Sequence, residues 1–282
     1  MFYRSSTGAF ALAAALMMTL GGAQAANEAK YPNWKGQWDT VNPRLGGQSV
    51  KFDPNKPFGP AQQAPLTPEY QKIHEESMAD QAKGGQGNFI DHAKCVPGGM
   101  PSMMAAQAAE YIVTPETTYI SVNTDLRRIF TDGRPWPADV EPTYQGYSIG
   151  KWIDEDGDGR YDMLEVETRN FDGPRSFDNA GIPLHADNQT IVKERIYRDK
   201  QNPEIIHDEM TTIDHALTRP WTVDKTFRLQ KNPHWVQNIC NVGNMHVRIG
   251  TEAYFLSADG LLMPTRKGQP PPDLRYFTQS RK

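Results

Sequence analysis

Between Glu110 and Leu256 the chain repeats one pattern. Short runs rich in Val, Ile, Thr, Tyr and Phe are separated by turns built on Gly, Pro, Asp and Asn, with no helical period between them. The runs fall at 111–113, 119–122, 126–130, 147–153, 163–168, 189–197, 204–213, 222–229, 245–249 and 251–256. Regularly spaced strands without crossover helices exclude a parallel α/β sheet and leave an antiparallel sandwich or barrel. A long meander leaves two edges exposed unless it closes, so closure is favoured. The expected class is all-β: an antiparallel barrel over 108–260.

The flanks read differently. Residues 1–25 carry Arg4, an apolar run from Ala9 to Leu20 and a closing Ala23-Gln24-Ala25. That is the pattern of a cleavable secretory signal, which places the working protein in the periplasm or outside the cell. The apolar run is too short to cross a bilayer about 30 Å thick, and no later segment is apolar enough to be a transmembrane span. Residues 26–107 are rich in Pro, Gln, Asn and Gly and read as an extended N-terminal arm with one or two short helices. One helix starts with Thr67 as cap and Pro68 at its first position and runs to about Ala82. A shorter one follows Pro101 through Met103 and Met104. The arm also holds a possible strand around Trp34 to Thr40. Residues 261–282, with Gln269-Pro270-Pro271-Pro272, are a C-terminal tail. The net charge of −4, with basic and acidic residues interleaved, excludes a nucleic-acid partner, which needs a clustered basic face.

The strongest chemical motif is Asp154-Glu155-Asp156-Gly157-Asp158-Gly159-Arg160-Tyr161-Asp162, followed by Glu165. Asp154, Asp156, Asp158, Asp162 and Glu165 fall at positions 1, 3, 5, 9 and 12 of a twelve-residue loop. The glycine at position 6 allows the sharp turn, and the Arg160 carbonyl is at position 7. This spacing suits Ca²⁺, a hard cation that takes carboxylate and carbonyl oxygens. It resembles EF-hand loops and the calcium loops of FG-GAP-type β-repeats. Tyr161 stands where an EF-hand has an aliphatic residue, and the flanks read as strands. A calcium-clamped β-hairpin is therefore expected, not a sensor, with Glu165 pointing along its strand more readily than ligating; the plain alternative is a solvated acidic turn.

Cys95 and Cys240 are the two cysteines. In an oxidising compartment the expected outcome is a disulfide between them. A zinc site using them with His92 and His246 is the alternative. Met100, Met103 and Met104 could hold copper(I), although three methionines on a short helix usually fill a core.

Gly36-Gln37-Trp38 resembles the lipocalin signature, in which the tryptophan closes one barrel end under an arginine from a late strand. That resemblance implies a calycin-like barrel and assigns the arginine's part to Arg248. Further segments are Cys95-Val96-Pro97-Gly98-Gly99-Met100-Pro101, Arg127-Arg128-Ile129-Phe130-Thr131-Asp132-Gly133-Arg134-Pro135, Gly146-Tyr147-Ser148-Ile149-Gly150-Lys151-Trp152, and Thr212-Ile213-Asp214 with Pro220-Trp221-Thr222. They resemble a family of exported bacterial proteins for which no activity is known.

The expected function is binding of a small organic molecule, apolar or aromatic, with Trp38, Tyr147, Arg134 and Glu194 as candidate contacts. The alternative is a periplasmic lyase, isomerase or hydrolase working in the same cavity. Its candidate catalytic residues are Arg128, Asp132 and His185, since Arg grips carboxylates and His and Asp move protons. His207, Asp208, Asp214 and His215 lie in the same chain region. A structural envelope protein with no cavity is the third reading.

Overall fold

The computed structural model describes residues 29–41, 64–83, 99–105, 108–122, 125–173, 175–178, 181–234, 246–249, 251–256 and 261–272. Nine strands close into a barrel: β1 (Gln37–Thr40), β2 (Ala109–Val113), β3 (Thr117–Val122), β4 (Asp125–Phe130), β5 (Tyr147–Ile153), β6 (Met163–Arg169), β7 (Ile191–Arg198), β8 (Ile205–Ile213) and β9 (Trp221–Leu229). Each pairs with the next, and β9 returns to β1. The all-β barrel read from the sequence is the observed fold.

Three details correct that reading. The wall is not wholly antiparallel, because β4 and β5 pair in parallel through Ile129↔Ser148 and Phe130↔Ile149. Parallel neighbours require the chain to return to the starting end before the next strand. Segment 131–146, with Pro135, Pro137 and Pro142, makes that return in extended form instead of as a helix. The wall also begins earlier and ends sooner than 108–260. Gln37–Thr40 of the arm supplies the closing strand, whereas β10 (His246–Ile249) and β11 (Glu252–Leu256) join β12 (Leu262–Pro264) in a separate sheet. The tail folds back on that sheet: Tyr254 Oη donates to the Pro270 carbonyl (3.0 Å) and Gln269 Nε2 to that of Ala253 (2.7 Å).

The arm carries helix α1 (Pro68–Ala82). Thr67 caps it as expected: its Oγ1 accepts from Tyr70 N–H at 3.4 Å, and its carbonyl accepts from Gln71 N–H at 2.8 Å. The second helix is only one 3₁₀ turn, Ser102–Met104. Among the described residues no helix is long and apolar enough to cross a membrane.

Alternate residues of each strand face inward, and they form one contiguous core that includes Trp38, Tyr111, Ile120, Ile129, Trp152, Leu164, Ile196, Met210, Trp221 and Phe227. Inward Gly150 lets the parallel pair close up. A Cβ there would lie 2.7 Å from Ile129 Cγ2 and 3.1 Å from Leu164 Cδ1. One barrel end is plugged by Tyr31, Trp34, Trp152 and Tyr161, with ring centroids 5.0 to 6.3 Å apart. At the other end the 170–190 and 214–220 loops bury Phe171, Phe177, Ile182 and Leu217, and Met100, Met103 and Met104 join the same core. The three methionines thus fill space.

Candidate functional site

The polar residues of the barrel interior come from strands on every side. Arg127 of β4 and Glu194 of β7 form a two-pronged ion pair at 1% and 2% exposure. Arg127 Nη1 donates to Glu194 Oε1 at 2.7 Å, and Nη2 reaches Oε2. The remaining donors of Arg127 go to Thr168 Oγ1 (2.9 Å) and Ser148 Oγ (3.3 Å), and those two hydroxyls bond each other at 2.9 Å. Burial pulls the Arg127 pKa down, but Glu194 more than offsets this and the guanidinium stays charged. The pair is internally satisfied.

Its neighbours are not. Both carboxyl oxygens of Asp208 (β8) and the hydroxyls of Tyr111, Thr118 and Thr212 are buried without a hydrogen-bond partner among the described residues. An unpaired buried polar group costs about 1–3 kcal/mol, and native interiors hold few of them. Burial and then the nearby Glu194 charge push the Asp208 carboxyl well above the usual range. Burial likewise raises the Tyr111 phenol. Lys225 sits opposite Asp208 in the β8–β9 register, its pKa lowered by burial. The interior thus offers a carboxyl with a raised pKa, a phenol and two hydroxyls inside a largely aromatic wall.

Trp38 is fully buried and donates its Nε1–H to the Trp34 carbonyl at 2.8 Å. A guanidinium lies over its ring at 5.3 Å, but it belongs to Arg198 of β7. The lipocalin-like position expected for Arg248 is thus taken by another strand's arginine; the Arg248 side chain lies outside the described residues. Trp34 meets Tyr111 edge-on at 5.6 Å. Above it is a cleft of about 240 Å³ lined by Tyr31 to Lys35 and Val113 to Pro115.

Other candidates fall elsewhere. Glu194 does face the interior, but Arg128 does not: it lies on the outer wall, 6.0 Å from the Tyr119 ring, while the inward arginine is Arg127. Asp132 and Arg134 pair with each other on an exposed turn at 2.6 to 3.0 Å, with Arg134 also 3.8 Å over Phe130 and 3.4 Å from Tyr147 Oη. The Arg134 bond holds the Asp132 carboxyl below its usual range. These four residues form a surface clasp on the exposed turn after β4. Cys95, Cys240 and the proposed signal lie outside the described residues.

The acidic hairpin joins β5 to β6. Asp154 accepts from Gly157 N–H (2.7 Å) and Gly159 N–H (2.9 Å), and Gly159 turns with φ +86°. Carboxylate oxygens of Asp154, Asp156 and Asp162 lie within 4.8 Å of one another. Asp158 instead accepts from Arg160 N–H at 2.8 Å. Glu165 follows its strand, as the strand-like flanks implied, and lies on the outer wall between Lys151 and Arg195 in register, so it drops out of the candidate ligand set. Tyr161 is a plug residue, 5.0 Å from Tyr31, and its N–H donates to the Lys30 carbonyl at 2.7 Å. That explains the aromatic at position 8. The loop is tied down through Glu155, which pairs with Arg195 (3.1 Å) and Lys200 (3.6 Å).

His185 lies in the loop before β7, beside Asp187 and the His215 of the β8–β9 loop. Sequence reasoning named His185 but missed this grouping. No family model matches the chain, and a search of curated proteins returns no match.

Proposed function

We propose that this is an exported barrel that binds a small, largely apolar or aromatic molecule in its interior, with Asp208 and Tyr111 as polar anchors. One observation carries the reading. The carboxyl of Asp208 and the hydroxyl of Tyr111 are fully buried and have no hydrogen-bond partner among the described residues. Small-molecule sites combine such a lining with a few convergent polar groups. A ligand carrying a hydroxyl, amide or carbonyl would supply the missing bonds. The cleft above Trp34 offers the way in, since Trp34 lines it and packs edge-on against Tyr111.

In this reading the acidic hairpin holds a structural Ca²⁺, with Asp154, Asp156 and Asp162 as ligands. The pattern of residues 1–25 supports a place in the periplasm or outside the cell. Catalysis remains the second reading, on one specific ground: a carboxyl with a raised pKa beside a phenol can act as a general acid.

Native mass spectrometry of the protein isolated from its own source tests the binding reading. A co-purifying small molecule is expected, and Asp208→Asn and Tyr111→Phe should each retain less of it. A bare polypeptide mass, with metal at most, would sink the proposal.

A further inference from the structure

Strands β7 and β8 are antiparallel neighbours joined through Ile191↔Ile213. The loop entering β7 and the loop leaving β8 therefore emerge side by side at one barrel end. The first carries His185 and Asp187, the second His215. Asp187 Oδ1 lies 3.0 Å from His185 Nδ1, and Asp187 Oδ2 lies 2.5 Å from His215 Nδ1. One ligand atom from each of the three side chains falls within 4.8 Å of the others.

The group is held from behind. Asp214 accepts from the backbone N–H of His185 (2.9 Å) and of Ala216 (2.8 Å), and from Thr190 Oγ1 (2.6 Å). One carboxylate thus fixes both loops relative to each other. Arg175, itself buried, donates to Thr190 Oγ1 at 2.8 Å and to the Met100 carbonyl at 3.1 Å, which anchors that carboxylate to the core. The Tyr70 ring of α1 packs on His185 at 5.3 Å. On the other side His215 is 69% exposed, so the cluster opens to water.

We propose that His185, Asp187 and His215 form a transition-metal site for Zn²⁺ or a similar divalent ion. Two imidazoles with one carboxylate suit zinc, cobalt, nickel or ferrous iron and not Ca²⁺ or Mg²⁺, which take oxygen. Ligands about 2.1 Å from a tetrahedral zinc lie roughly 3.4 Å from one another. Here His185 Nδ1 accepts from the Asp187 backbone N–H (3.1 Å) and Asp187 Oδ1 from the Gln189 N–H (3.1 Å), bonds that a bound ion would replace. Three protein ligands leave the fourth position to water, as in zinc sites that do chemistry and unlike closed structural ones. Asp214 braces the ligand-bearing loops through backbone N–H groups and Thr190. The site is independent of the barrel interior and of the acidic hairpin.

The test uses the untagged protein in excess Ca²⁺, so that oxygen-only sites are filled, titrated with ZnCl₂ by calorimetry and with CoCl₂ by visible absorption. Saturable Zn²⁺ binding and a Co²⁺ ligand-field band are expected. His215→Ala and His185→Ala should each weaken Zn²⁺ at least tenfold and abolish the band. The exposed His215 makes its variant a folded control, verified by circular dichroism. Absence of saturable binding, or variants that bind as tightly as the parent, would overturn the proposal and leave a plain His–Asp ion-pair cluster.

Discussion

Removing one partner of the Arg127–Glu194 pair strands the other charge where no water reaches it. Arg127→Ala or Glu194→Ala should each lose about 3–5 kcal/mol in urea denaturation, and Arg127→Met with Glu194→Leu should lose less than either alone. Asp208 makes a different prediction. Its folded pKa is raised, so the stability tied to its proton is present below about pH 4 and declines as pH climbs toward the folded value. Asp208→Asn lacks that decline. Its stability relative to the parent should rise with pH over this window, by up to about 1.4 kcal/mol per pH unit. A gap constant in pH would show an ordinary titration. These interior residues were only partly legible in the sequence. Ile129 marks an inward position on β4, and alternation then places Arg127 inside and Arg128 outside. Weighing the pair as turn neighbours, without counting back from Ile129, selects the wrong arginine. Leu126 adds to the difficulty, because it is exposed where a leucine suggests core.

The elements were easier to read than their pairing. Local chemistry defines α1, with Thr67 and Pro68 at its start, and turn residues bound each barrel strand. Nothing local announces that β4 and β5 run parallel, because that depends on where segment 131–146 travels. Asn170 Nδ2–H donates to the Val140 carbonyl at 2.9 Å and Arg169 sits 4.8 Å over Trp136, contacts that involve residues far along the chain. The acidic hairpin lies between these cases. Its spacing was visible, yet the outward turn of Glu165 follows from the β6 register. If the hairpin binds calcium, a hundredfold excess over Kd contributes about 2.7 kcal/mol and raises Tm by roughly 5–10 °C. Asp154→Ala, which removes the acceptor for Gly157 and Gly159, should erase that gain in a thermal melt with and without chelator.

Closure of the whole barrel depends on its shortest stave. β1 meets β9 through three residue pairs and β2 through two, and Trp38 is its fully buried core side chain. Trp38→Ala should cost about 3–5 kcal/mol. It should also free the edges of β2 and β9, seen as concentration-dependent association in size-exclusion chromatography. The expectation of a closed wall rested on the need to hide edges, and it held. Which segment would close it was less apparent, because a long arm and a helix separate Gln37–Thr40 from its partners in sequence.

That joint also sets an order of assembly. Gln37–Thr40 leaves the ribosome early, yet its mate around Phe227 to Leu229 is made almost two hundred residues later. Until that pairing forms, β2 and β9 keep the edges that β1 covers in the finished wall. Long-range pairings of this kind are slow to form. The first stave to be synthesised must therefore be among the last to be locked.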